Sequence, residues 1–137
     1  MRNSKPILLV EDDDVDQIVM ERAFKDLKIT NQLVNTANGE EALEYLKTES
    51  NKKPCFILLD LNMPKMDGIE FLRIIKADEA LKKIPVIIMT TSRAEQDIIK
   101  SFRLGAVGYI VKSIDYEKSA ETIMAIDLCL SSSELSD

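Results

Sequence analysis

The apolar run from Cys55 to Leu59 stops on Asp60, and three further apolar runs also stop on groups with chemical uses. Ile7 to Val10 ends on Glu11-Asp12, Val86 to Met89 on Thr90-Thr91-Ser92, and Gly108 to Val111 on Lys112. Carboxylates brought together raise one another's pKa unless a cation neutralises them, and a hard divalent ion with oxygen ligands meets that need. Magnesium keeps several of its waters and asks for few protein ligands. Asp12 and Asp60 are the expected side-chain ligands, with the backbone carbonyl of Asn62 as the third and Glu11 acting through water. A carboxylate is also a nucleophile toward phosphorus, giving an aspartyl phosphate. In such a transfer the protein chiefly positions the reactants and neutralises charge on three equatorial oxygens. Lys112 offers a mobile point charge, Thr90 a hydroxyl, and the backbone amides after Asn62 and at Thr91 further donors.

Those groups act together only if the runs that carry them lie side by side. Continuous apolar runs of four or five residues read as strands buried on both faces, the mark of a parallel sheet. Five strands are expected, four on such runs at Ile7 to Val10, Cys55 to Leu59, Val86 to Met89 and Gly108 to Val111, and one on a weak alternation at Gln32 to Ala37. Between them run segments of helical spacing. The first spans Val15 to Lys28, with Val15, Ile18, Val19, Arg22-Ala23 and Leu27 as its periodic positions. The second spans Glu40 to Thr48, with Ala42, Leu43 and Leu46 inward. The third carries Ile69, Phe71-Leu72 and Ile74-Ile75 and ends near Ala77. The fourth runs from Ala94 to Leu104 and stops at Gly105, and the last from Tyr116 to about Leu130. Residues 78 to 84 form a polar connector with room for one extra turn. Short links between alternating strands and helices imply right-handed crossovers and a parallel sheet covered on both faces. Ligands bind such sheets at the carboxyl ends of the strands, where all four chemical groups fall.

The chain has the length of a single domain spanning residues 1–137, with a core over about 6–130 and a polar tail at 131–137. Its formal net charge of −6 would repel a nucleic-acid backbone, so no nucleic-acid partner is expected. The first apolar run, Ile7 to Val10, is too short for a signal peptide or a membrane span, and the two cysteines share no motif spacing. A cytoplasmic protein without a membrane partner follows as the expectation. With no histidine in the chain, imidazole acid–base chemistry and phosphorylation on histidine are excluded for this polypeptide.

The stretches LLVEDD (Leu8 to Asp13), LLDLNMPKMDG (Leu58 to Gly68), PVIIMTTS (Pro85 to Ser92) and GYIVK (Gly108 to Lys112) resemble the receiver domain of two-component response regulators, in family order and spacing. The resemblance spans essentially the whole chain. It implies a flavodoxin-like, doubly wound, five-stranded parallel α/β sheet of order 2-1-3-4-5 with five helices. It assigns Asp60 as phosphoacceptor, Asp12 and Glu11 as the acidic pocket, Thr90 as switch hydroxyl, Tyr109 as switch aromatic and Lys112 as the lysine that contacts the phosphoryl group. Asn62, Thr91 and Ser92 are then the positions that tune phosphate lifetime. The implied cofactor is Mg2+, and the implied donor is a sensor histidine kinase or a phosphotransfer protein. Small single-domain regulators partnered with bacterial phytochromes share the VEDD start, the TTS triplet and the long connector before Pro85. A phytochrome-type kinase is therefore the donor this resemblance suggests. The domain would assist its own phosphorylation and dephosphorylation without being an enzyme in the ordinary sense, and its output would be a change of protein contacts. The chain departs from the family pattern at Lys112-Ser113, where Lys-Pro with a cis bond is usual. A cis bond to serine costs roughly 2.5 to 4 kcal/mol, so a trans bond is expected.

Two other function classes fit part of this pattern. A hydrolase of the haloacid dehalogenase kind also uses Asp, Thr, Lys and magnesium, but resembles a pattern with a second Asp two residues after the nucleophile, where this chain has Asn62. A phosphorylation-independent binding module would lack Asp60, Asp12 or Lys112, and all three are present. In the last helix, Ile123, Ile126 and Leu130 share one stripe and Met124 with Leu128 another, with Asp127 between. One stripe would pack on the sheet, and the other suits a homodimer or partner face formed with the fourth helix and fifth strand.

Overall fold

The computed structural model describes residues 5–63, 65–112, 121–125 and 128. Five parallel strands, β1 (Ile7–Val10), β2 (Leu33–Thr36), β3 (Phe56–Leu59), β4 (Val86–Thr90) and β5 (Gly108–Val111), form one sheet in the order β2-β1-β3-β4-β5. Four helices lie between them: α1 (Asp14–Asp26), α2 (Gly39–Lys47), α3 (Gly68–Ala77) and α4 (Glu95–Arg103). A further helical stretch covers residues 121–125. The fold class and strand order expected from the sequence are those observed.

The three central strands are buried along their whole length, because helices cover both faces and leave no side of the pleat to water. One face of the sheet packs Leu8, Val10, Ile57, Leu59, Val86 and Ile88 against Ala42 and Leu46 of α2 and Phe71, Leu72 and Ile75 of α3. The other packs Ile7, Leu9, Phe56, Leu58, Ile87 and Met89 against Met20, Ala23 and Phe24 of α1, with Ile123 of the last helical stretch. The alternation between neighbours along each strand sends successive side chains to opposite faces. β5 closes the edge and is only half-buried beyond Gly108.

Side-chain caps fix where three helices start. Asp13 accepts from the Val15 and Asp16 amides, Asn38 from Glu41, and Asp67 from Glu70, each satisfying donors that the first turn leaves free. Helices α1 and α2 start within four residues of the strand before them, whereas residues 60–67 separate β3 from α3. The connector after α3 does hold an extra turn, closed by bonds from the Leu81 and Lys82 amides to the Asp78 carbonyl.

The structure corrects the expected face of α1 in part: Ala23 and Leu27 lie on the core side as the spacing placed them, and Val15 and Ile18 do not. Met20, Ala23 and Phe24 face the core with Leu27 packed beside them, whereas Val15 and Ile18 are exposed. Two stripes compete in this helix. The one through 20, 23, 24 and 27 wins because it carries the bulk of Met20 and Phe24, while its rival passes through charged Arg22. In the last helix Ile123 is fully buried and Leu128 exposed, so the stripe through Ile123 is the one that meets the sheet. Ile126, Asp127 and Leu130 lie outside the described residues, as does the Lys112-Ser113 bond. Among the described residues, no helix is long and apolar enough to cross a membrane.

Candidate functional site

The ladder bonds run one residue past the strands and line up the groups that end them. The Glu11 amide donates to Thr36 O at 2.9 Å, Asp60 to Val10 O at 3.1 Å, and Lys112 to Thr90 O at 2.7 Å. With Val10 opposite Leu59 and Thr90 opposite Val111, Glu11, Asp60, Thr90 and Lys112 are carried to one end of the sheet. All four come from strand ends, so rigid backbone rather than loop conformation sets their spacing.

Asp60 is buried, and its two carboxylate oxygens have different partners. Oδ1 accepts the Asn62 backbone amide at 3.2 Å, and Oδ2 faces Lys112 Nζ at 3.4 Å. The same ammonium donates to Asp16 Oδ2 at 2.9 Å and, in a shorter contact, to Glu11 Oε1. Glu11 is buried, Asp12 exposed, and one oxygen from each of Glu11, Asp12 and Asp60 falls within 4.8 Å of the others. One ammonium does not balance so many carboxylates. Burial, reinforced by the Asp60 charge, pushes the Glu11 carboxyl up to about 7 against the pull of Lys112. For Lys112 burial works downward, but the bonds to Glu11 and Asp16 and the Asp60 charge outweigh it and hold the ammonium above the ordinary lysine range. The oxygen-only donor set, the surplus negative charge and the opening at exposed Asp12 fit a hard divalent cation.

The hydroxyl side of the site is a short network. Thr90 is fully buried, and its Oγ1 lies 3.4 Å from both the Asn62 side-chain amide and the Ser92 backbone amide. Ser92 Oγ donates to Asp97 Oδ2 at 2.6 Å, and Tyr109 Oη donates to the Ser92 carbonyl at 3.0 Å. Tyr109 thus pins the segment between β4 and α4 from the edge strand. Thr91 is exposed.

Sequence reasoning missed three contributors. Asp16 bonds Lys112, and the Gln17 side-chain amide donates to the Glu11 carbonyl. Both sit on the core-facing stripe of α1, four and three residues before Met20, so reading that stripe backwards would have found them. Gly68 lies against the nucleophile's own backbone: a Cβ there would come within 2.4 Å of the Asp60 carbonyl oxygen and 2.6 Å of Leu61 Cα. Its place in the stretch ending Asp67-Gly68 was the available signal.

A parallel sheet of order 2-1-3-4-5 with a buried aspartate, an acidic pair, a hydroxyl and a lysine at its carboxyl end defines the phosphoacceptor switch class of flavodoxin-like proteins. The family model for the response regulator receiver domain matches residues 7–124, and the chain belongs to that family. Response regulator Rcp1 of Synechocystis is 37% identical over 127 residues, which cover 90% of this chain and 86% of Rcp1. The structure of Mn(2+)-bound Rcp1 superposes with a TM-score of 0.79, covering 90% of this chain and 91% of that one. The phosphorylated cyanobacterial phytochrome response regulator RcpA is 36% identical with a TM-score of 0.81, covering 91% and 92%. The bacteriophytochrome response regulator AtBRR is 35% identical with a TM-score of 0.77, covering 90% and 93%. RcpA and AtBRR are described as phytochrome response regulators, the kind of relative that the sequence motifs suggested.

Proposed function

We propose that Asp60 is the phosphoacceptor of a receiver that takes its phosphoryl group from a sensor histidine kinase, of phytochrome type by its relatives, or from a phosphotransfer protein. The Asp60 oxygen facing Lys112 attacks phosphorus, the phosphorus–nitrogen bond to the donor's histidine breaks, and the imidazole leaves with the electron pair. An acyl phosphate remains on Asp60. Asp12, Asp60 and the Asn62 carbonyl would hold Mg2+, with Glu11 behind a bound water. The ion supplies charge neutralisation for the phosphoryl oxygens. Manganese in Rcp1 and phosphorylation of RcpA, as their structures are described, support both parts of this reading.

Lys112 screens the charge that gathers on the transferring group, and the Asn62 amide holds the other Asp60 oxygen so that the nucleophile keeps one orientation. The new phosphate carries about −1.5 to −2 charges and several strong acceptors. Thr90 Oγ1 turns toward it and away from the Ser92 amide, which loosens the segment that Tyr109 pins by the Ser92 carbonyl. The readout surface is α4 with β5, where Ile99, Phe102 and Val107 are exposed, and it serves as a homodimer or partner face. Asn62, Thr91 and Ser92 border the phosphate and set how readily water removes it. The protein would work in the cytoplasm, where kinase domains present phosphohistidine.

The observation that carries this reading is the convergence of Lys112 on Asp60 from β5, across the intervening strand β4. Incubation with acetyl phosphate and Mg2+ should add the mass of one phosphoryl group to the intact protein. Asp60→Asn or chelation of the metal should abolish the gain. Continuous turnover of an added phosphate ester would instead favour a hydrolase of the dehalogenase kind.

A further inference from the structure

Lys112 has two carboxylate partners besides Asp60, and one of them, Asp16, lies on a helix rather than at a strand end. An ammonium has three N–H donors on a long flexible stem, so its aim is undefined until other acceptors fix it. Here the Glu11 contact takes one donor and Asp16 Oδ2, at 2.9 Å, a second, which leaves the third for Asp60 Oδ2 at 3.4 Å. Asp16 is itself held in place. Its amide donates to the Asp13 cap at 3.1 Å, and its stripe of α1 continues into Met20, Ala23 and Phe24, which are buried on the sheet. It does not belong to the Glu11-Asp12-Asp60 cluster that fits the cation.

We propose that Asp16 is a positioning residue for phosphoryl transfer, fixing the Lys112 ammonium so that its third N–H points at the Asp60 oxygen and the phosphoryl group that replaces it as partner. This rests on Asp60 being the phosphoacceptor. Loss of Asp16 leaves one short anchor, the ammonium swings about the Glu11 contact, and the stabilising charge is misplaced at the moment of transfer.

The test is the rate of labelling by acetyl phosphate, followed by intact mass while magnesium and acetyl phosphate are each varied. Asp16→Ala should lower the maximal rate about tenfold while leaving half-saturation by magnesium unchanged. Asp16→Asn keeps an oxygen acceptor at the same reach and should stay within about threefold of the parent. An Asp16→Ala rate equal to the parent's, an Asp16→Asn loss as deep as that of Asp16→Ala, or a defect confined to magnesium half-saturation would overturn the proposal. A second measurement needs no variant: the Lys112 ammonium of the parent, seen by nitrogen-15 NMR, should exchange its protons slowly, and rapid exchange with solvent would overturn it too. Failure of the parent to label at all would refute the phosphoacceptor reading and is a separate result.

Discussion

Replacing Gly68 by alanine should separate the geometry of the nucleophile from its chemistry. The added methyl carbon would lie 2.6 Å from Leu61 Cα and 2.4 Å from the Asp60 carbonyl oxygen. Carbon pairs rest at about 3.5 to 4.0 Å, so the Leu61 contact alone calls for roughly 1 Å of movement. Both opposing atoms are backbone and cannot turn aside as a side-chain tip would. Helix α3 is moreover tied to this loop by the bond from the Gly68 amide to Leu61 O at 3.0 Å. Overpacking of this kind costs about 1 to 3 kcal/mol, offset by up to about 1 kcal/mol for placing alanine rather than glycine in a helix. With the full offset the net loss is up to about 2 kcal/mol, which lowers the melting temperature by up to roughly 8 °C for a domain of this size. The same displacement carries Asp60 off its line toward Lys112 and the Asn62 amide, and a shift near 1 Å costs on the order of 100-fold in rate. Gly39→Ala is the internal control. Its methyl would meet side-chain rather than backbone atoms, Met66 Sδ at 2.8 Å, Cγ at 3.0 Å and Cβ at 3.2 Å, so the loss should be smaller than at Gly68 and labelling should match the parent. Differential scanning calorimetry and acetyl phosphate labelling of the two variants give both numbers. A Gly68→Ala protein that melts and labels like the parent would refute the close-approach argument.

The metal-free protein should lose stability as pH rises from 4.5 to about 7. Glu11 keeps its proton in the folded state over that interval while the unfolded chain releases it, so folding binds the extra proton and is favoured at the acid end. The same proton competes with the cation. Magnesium affinity by calorimetric titration should therefore climb by as much as roughly tenfold per pH unit up to about 7 and level off above, and a flat profile would show that Glu11 is already ionised. Phe102→Glu places a charge on the exposed apolar face of α4 with β5, and solution mass of the phosphorylated protein should fall to that of a monomer if this face joins two copies. An association that survives the change would move the contact elsewhere.

Four of the strands and the groups that end them were legible as apolar runs with an abrupt polar stop, because a parallel sheet buries both faces, whereas β2 at the edge showed only a weak alternation. Asp60 and Lys112 could be assigned to one crevice because open parallel sheets gather their strand ends there. The face of α1 was not legible in the same way. Val15, Ile18 and Val19 make a plausible periodic set, and only the sheet, by accepting Met20 and Phe24, rejects it. With Val15 and Ile18 placed on the inner face, Asp16 and Gln17 received no role, and their bonds to Lys112 and the Glu11 carbonyl were out of view.

Sequence alone determined the family, by motif order along the chain, and the identity of the carboxylates, hydroxyl and amine at the strand ends, by local pattern, and the strand order followed from the family resemblance. Tertiary structure decided which carboxylates share the Lys112 ammonium, how near Gly68 presses on the Asp60 backbone, and how far burial raises the Glu11 carboxyl. Those properties depend on distances between segments far apart in the chain and on how completely packing removes water from between them, and no local pattern encodes either.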